Sequence, residues 1–111
     1  MAMILLALGL AAAAAPGIPP AYAGEWQRAR SQCGSAQEHR IVVAGDTLDF
    51  YEARFRVRST RRIDRNTVAL RGTWSEDGAS EMTTLRLALA PSGRSMTVTA
   101  PNWVSRVVAC R

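Results

Sequence analysis

Six arginines, Arg54, Arg56, Arg58, Arg61, Arg62 and Arg65, fall within twelve consecutive residues in which Asp64 is the only acid, so this stretch carries the whole formal net charge of +5. All fourteen basic residues of the chain are arginine. Arg54, Arg56 and Arg58 alternate with Phe55 and Val57 as on one face of a strand, where the rise sets like-facing residues about 6.5–7 Å apart. Guanidinium forks match the oxygens of phosphate and carboxylate groups. The chemistry these residues point to is recognition of an anionic partner: a lipopolysaccharide phosphate, an acidic polymer or an acidic protein patch. The competing reading is a solvated outer strand face, where arginine stems cover apolar surface and the charge opposes edge-to-edge association. No aromatic stacking platform lies beside the arginines, which disfavours specific nucleic-acid binding.

Catalytic chemistry finds little support. His39 is the single histidine, and neither a Gly-x-Ser-x-Gly elbow nor a phosphate-cradling glycine loop occurs. Asp49 and Glu52, three residues apart at a strand end, are the one candidate carboxylate dyad for a small hydrolase, although carboxylates beside an arginine-rich strand are more simply its ion-pair partners. Glu76, Asp77 and Glu81 lack the ligand spacing of a calcium loop and read as a polar turn. Cys33, Cys110 and His39 cannot complete a four-ligand zinc set without carboxylates. The expectation is a protein with no catalytic residues, no cofactor and no metal. Trp26, Trp74, Trp103 and Tyr51 read as core or rim aromatics, and an exposed pair of them beside the arginine strand would make a binding patch.

The elements that must position these residues are strands. From Arg40 onward apolar and polar residues alternate with period two in short runs broken by turn residues. Ile41 and Val43, then Leu48 and Phe50, then Phe55 and Val57 form the first inward sets, and the change from even to odd positions requires a turn or bulge near residues 51–53. Val68, Leu70, Gly72 and Trp74 follow, then a loop at 75–80, then Leu85, Leu87 and Leu89. A turn at 91–94 precedes Met96 and Val98, and Pro101-Asn102 precedes a last strand over 103–110 with valines on both faces, as for a strand lying beside the N-terminal segment. A helical period is conceivable only over 25–35. The pattern predicts an all-β fold, a small up-and-down antiparallel β-barrel or flattened meander of about seven to eight strands. A barrel of that size is filled by its own side chains.

Compartment follows from the N-terminus. Residues 1–15 carry no charge and end in five alanines, and after Pro16, Pro19 and Pro20 the small-x-small pattern Ala21-Tyr22-Ala23 offers a signal-peptidase site. The expectation is a cleaved signal peptide over residues 1–23 and a single periplasmic or secreted domain over 24–111. The apolar run falls short of the ~20 residues that span a bilayer, which disfavours a membrane anchor. No Lys or Arg precedes the run, so the true translation start is in question. A domain this small needs stapling, and in an oxidising compartment Cys33 and Cys110, near its two ends, are expected to form a disulfide. Closing so long a loop stabilises by roughly 4 to 5 kcal/mol in the chain-entropy model.

Gly24-Glu25-Trp26 resembles the opening of lipocalin-like (calycin-type) chains, and Gly72-Thr73-Trp74 repeats the triplet. Together with Cys33-Gly34, residues 40–43, Asp49-Phe50-Tyr51-Glu52 and the terminal Cys110, the pattern is similar to that of small exported β-barrel proteins of Gram-negative bacteria. The resemblance implies a periplasmic barrel and brings no catalytic residues. The short, disulfide-tied lysozyme inhibitors are a neighbouring analogy, which makes a protein inhibitor of an envelope hydrolase, acting through residues 75–80 or 91–94, the alternative function. The overall charge sign opposes a cationic lysozyme target.

Overall fold

The structure is a computed structural model that describes residues 17–111, so the apolar run of the expected signal segment, residues 1–15, lies outside the described residues. Eight strands follow in order: β1 (Gly24–Gln27), β2 (Ile41–Ala44), β3 (Thr47–Phe50), β4 (Ala53–Asp64), β5 (Thr67–Glu76), β6 (Ala79–Leu89), β7 (Ser95–Thr99) and β8 (Val104–Ala109). Each pairs antiparallel with the next, and β8 returns to β1, which closes the barrel. No helix among the described residues is long and apolar enough to cross a membrane.

Most of the inward positions read from the alternation build the core, while Phe50, Trp74 and Leu89 are only half-buried against it. Trp26, Ile41, Val43, Leu48, Phe55, Val57, Val68, Leu70, Leu85, Leu87, Met96, Val98, Val107 and Ala109, drawn from all eight strands, are buried. The parity change between Phe50 and Phe55 is absorbed by a tight turn at Tyr51-Glu52, which pairs Phe50 with Ala53 and Leu48 with Phe55. Two parts of the alternation reading need correction. Residues 25–35 hold no α-helix; β1 lies there, followed by a single 3-10 turn at Arg30–Gln32, because Trp26 is drawn inward between β2 and β8. Residues 75–80 are not a loop, since β5 and β6 pair out to Glu76 and Ala79 around a two-residue turn, Asp77-Gly78, with φ of 51° and 79°. Left-handed backbone at both positions matches the strand twist of a tight hairpin, and Asp-Gly supplies it at low cost.

Gly72 has a different role. A Cβ there would lie 2.1 Å from the carbonyl oxygen of Arg56 and 2.9 Å from the Phe55 ring, so the bare backbone lets β4 and β5 approach and gives Phe55 its place. One residue further along β4, the register slips between Val57 and Ser59. Arg58 occupies this bulge.

The disulfide forms between Cys33 and Cys110, with Cα atoms 5.5 Å apart. It fastens the segment between β1 and β2 to the end of β8. Glu25 holds the same segment: its Oε2 accepts from the Gly34 N–H at 2.9 Å, from Gln27 Nε2 at 2.9 Å and from Arg40 Nε at 3.2 Å. These donors, the Gly34 N–H foremost, hold the Glu25 carboxyl below its usual range.

Candidate functional site

The six clustered arginines do not act as one group. Arg54 and Arg56 point outward beside β3, where Arg54 Nε donates to Asp49 Oδ1 at 2.6 Å and Arg56 Nη1 to Asp46 Oδ2 at 3.3 Å. Arg62 turns back on its own chain, its Nη1 donating to the carbonyls of Asp64 and Arg65 at 3.4 and 3.1 Å. Arg65 lies in the exposed β4–β5 turn. Arg58, Arg61, Arg62 and Arg65 all lack a carboxylate partner among the described residues, and of these Arg58 and Arg61 are the two within β4 whose guanidinium groups make no hydrogen bond there.

Across the sheet those two meet basic residues that the linear cluster does not contain. Ser59 pairs with Arg71 of β5, which pairs with Thr84 of β6, and Arg61 pairs with Ala69, which pairs with Arg86. Residues two apart on a strand share a face, so Ser59, Arg61, Arg71 and Arg86 occupy one outer wall of three adjacent strands, with neighbouring strands about 4.8 Å apart, and Arg58, exposed in the bulge, directly precedes Ser59. Ala69 faces outward and is nevertheless 8% exposed, as expected beneath the arginine stems on either side. A shallow groove of about 450 Å³ is lined by Ser59, Thr60, Arg61, Ala69, Arg71 and Thr84. Arg71 Nη1 donates to Thr84 Oγ1 at 3.4 Å, which leaves its remaining donors free. Guanidinium and hydroxyl donors around a small apolar floor suit a phosphate or carboxylate group.

Arg71 and Arg86 are the residues that linear clustering missed. Both stand at the outward positions of the alternation, so the signal for them was the parity of β5 and β6; register was the missing step. It depends on the bulge at Arg58 and on the length of the Asp77-Gly78 turn.

At the β5–β6 tip the character reverses. Phe50, Trp74 and Trp103 pack against one another with ring centroids 4.9, 5.9 and 6.0 Å apart, and Trp74 Nε1 donates to Glu76 Oε1 at 2.9 Å. Glu76, Asp77 and Glu81 are exposed there and have no arginine partner among the described residues. Pairing between β6 and β7 begins only at Arg86 and Thr99, so β6 from Ala79 to Leu85 has a free edge. A cavity of about 460 Å³ opens along it between Trp74 and Trp103, with Glu81 and Asn102 on its rim. Trp74 and Trp103 are thus rim aromatics, Trp26 is a core residue and Tyr51 is exposed at the β3–β4 turn.

The remaining candidates are placed separately. His39 is exposed in the turn before β2. Asp49 is engaged by Arg54, and Glu52 is exposed in the turn that joins β3 to β4. Compared with protein-family models, curated proteins and solved structures, the chain matches none.

Proposed function

We propose that this protein is an exported, non-enzymatic binding protein of the cell envelope, periplasmic or secreted, that meets an anionic component through Arg58, Arg61, Arg71 and Arg86. The observation that carries the reading is the gathering of these four arginines, none with a carboxylate partner among the described residues, on the β4, β5 and β6 wall, where Arg61 and Arg71 line a groove that also bears the hydroxyls of Ser59, Thr60 and Thr84. A lipocalin-like relationship is part of the same proposal, and a closed up-and-down barrel supports it. The non-enzymatic part draws on Asp49, whose carboxylate is occupied by Arg54.

The test is binding of the oxidised chain to lipopolysaccharide, to vesicles of anionic and of neutral phospholipid, and to an acidic polysaccharide, across a range of salt concentrations. Binding to the anionic members that weakens with salt and is lost when Arg58, Arg61, Arg71 and Arg86 are all changed to Ser is the expected result. Equal binding by both proteins, or binding to neutral vesicles alone, overturns the reading.

The β5–β6 tip favours a second reading, a protein inhibitor of an envelope hydrolase. Although the chain is basic overall, its acidic residues Glu76, Asp77 and Glu81 gather at this tip beside a free strand edge and two indoles. Such a surface suits a cationic partner that adds a strand. This reading predicts a stoichiometric complex with a cationic hydrolase that persists in salt and is broken by Glu81→Arg, with the wall arginines dispensable.

A further inference from the structure

Residues 17–23 close one end of the barrel. Tyr22 is 2% exposed and stands with Trp26 and Phe55 among the largest fully buried side chains. Its hydroxyl donates to the Asn66 carbonyl in the β4–β5 turn at 2.9 Å, and its own carbonyl accepts from Trp26 Nε1 at 3.0 Å. Ile18 packs against the core, and its N–H donates to the Gly45 carbonyl in the β2–β3 turn at 3.0 Å. The Thr60 hydroxyl donates to the Gly17 carbonyl at 2.8 Å, and Arg111 Nη1 donates to the Ala23 carbonyl at 2.9 Å. Two turns, β4, β1 and the C-terminus are therefore all tied to this segment.

A cut after Ala23 would remove those ties together. It would empty the space filled by the Tyr22 ring and leave the buried Trp26 indole N–H without its acceptor, two of the costliest kinds of single loss to a small core. We infer that residues 17–23 belong to the exported domain and that the leader is cut on the N-terminal side of Gly17. This rests on the export reading proposed above. The alanine run at 11–15 supplies small-x-small patterns directly behind the apolar stretch that ends at Leu10. The bond before Pro16 is the poorest choice within it, because proline has no N–H and a fixed φ. Cleavage after Ala13 or Ala14 satisfies both constraints. Ala21-Tyr22-Ala23, which has the same pattern, then serves as barrel end and not as recognition site.

The full chain, expressed in a Gram-negative host and recovered from the periplasm, gives the answer by intact mass. The expected N-terminus lies between Ala14 and Gly17, and Ala23→Leu, which places a large residue where the peptidase needs a small one, is expected to be processed at the same bond and to the same extent. An exported chain that begins at Gly24, or an Ala23→Leu precursor that accumulates uncut, overturns the inference and leaves the export reading standing. An uncut chain beginning at Met1 in the cytoplasm overturns the export reading, and the cleavage with it. Tyr22→Phe gives a second readout on the exported protein, since it keeps the ring and deletes only the bond to Asn66. A lowered melting temperature is expected, and an unchanged one would show that the segment is not held as described.

Discussion

Arg54 and Arg56 before the β4 bulge, and Arg58 and Arg61 within and beyond it, look alike in the linear chain and differ in the barrel. The first pair lies where β3 runs alongside, and β3 with its preceding turn brings Asp46 and Asp49. Pairing with β3 covers β4 only from Ala53 to Arg56, so the second pair overhangs it and finds no acid on that side. On the β5 side it finds Arg71, and Arg86 beyond. Whether a run of arginines neutralises itself or accumulates charge is decided by the strands beside it.

The largest effect should come from removing the accumulated half. A basic side chain near an anionic lipid surface contributes about 1 kcal/mol, so changing Arg58, Arg61, Arg71 and Arg86 to Ser should weaken binding to anionic vesicles by roughly 4 kcal/mol, or about a thousandfold at low salt. Co-sedimentation at several salt concentrations measures this. Next comes the backbone device between the two halves. Gly72→Ala pushes a methyl group against the Arg56 carbonyl and the Phe55 ring, and chemical denaturation should show a loss of about 1–3 kcal/mol. A stability within 0.5 kcal/mol of the parent, the usual range for harmless surface changes, would mean that the close approach of β4 and β5 is not needed. A smaller effect has the opposite sign: Asp46→Asn with Asp49→Asn frees Arg54 and Arg56 and should tighten vesicle binding by about tenfold, while stability moves by no more than about 1 kcal/mol, because both ion pairs are exposed.

The smallest effect concerns Glu25, a carboxylate held by a backbone N–H before any arginine. Its folded pKa lies below the ordinary 4.5, so its contribution to stability is present above that value and is lost as the pH falls through the lowered one. Hydrogen exchange in the 28–40 segment should accelerate in that acid range, while the arginines stay charged and vesicle binding persists.

The chain announces its architecture through alternation. Leu85, Leu87 and Leu89, or Met96 and Val98, can face one way only in a strand, and Asp77-Gly78 marks a hairpin. β1 was hidden because four residues with one large apolar side chain, Trp26, show no period and are ordered by pairing with strands distant in sequence. The basic wall was half legible for a related reason. Clustering along the chain exposed Arg58 and Arg61, whereas Arg71 and Arg86 join them through register, which the bulge at Arg58 sets between β4 and β5 and the Asp77-Gly78 turn sets between β5 and β6. The barrel end at Tyr22 was not legible from pattern, since Ala21-Tyr22-Ala23 has the form of a peptidase site and only burial reveals the packing of the Tyr22 ring.

The most direct test removes the same charge from each half of β4 and compares the results. Arg58→Ser with Arg61→Ser, and separately Arg54→Ser with Arg56→Ser, should be titrated against anionic vesicles over the same salt series as the parent chain. The predicted result is a loss of roughly 2 kcal/mol, about thirtyfold, for the first pair and only a few-fold loss for the second, whose guanidinium groups are already engaged by Asp49 and Asp46. Equal losses would contradict the account, because binding would then follow net charge alone and the outer wall of β4, β5 and β6 would not be a site.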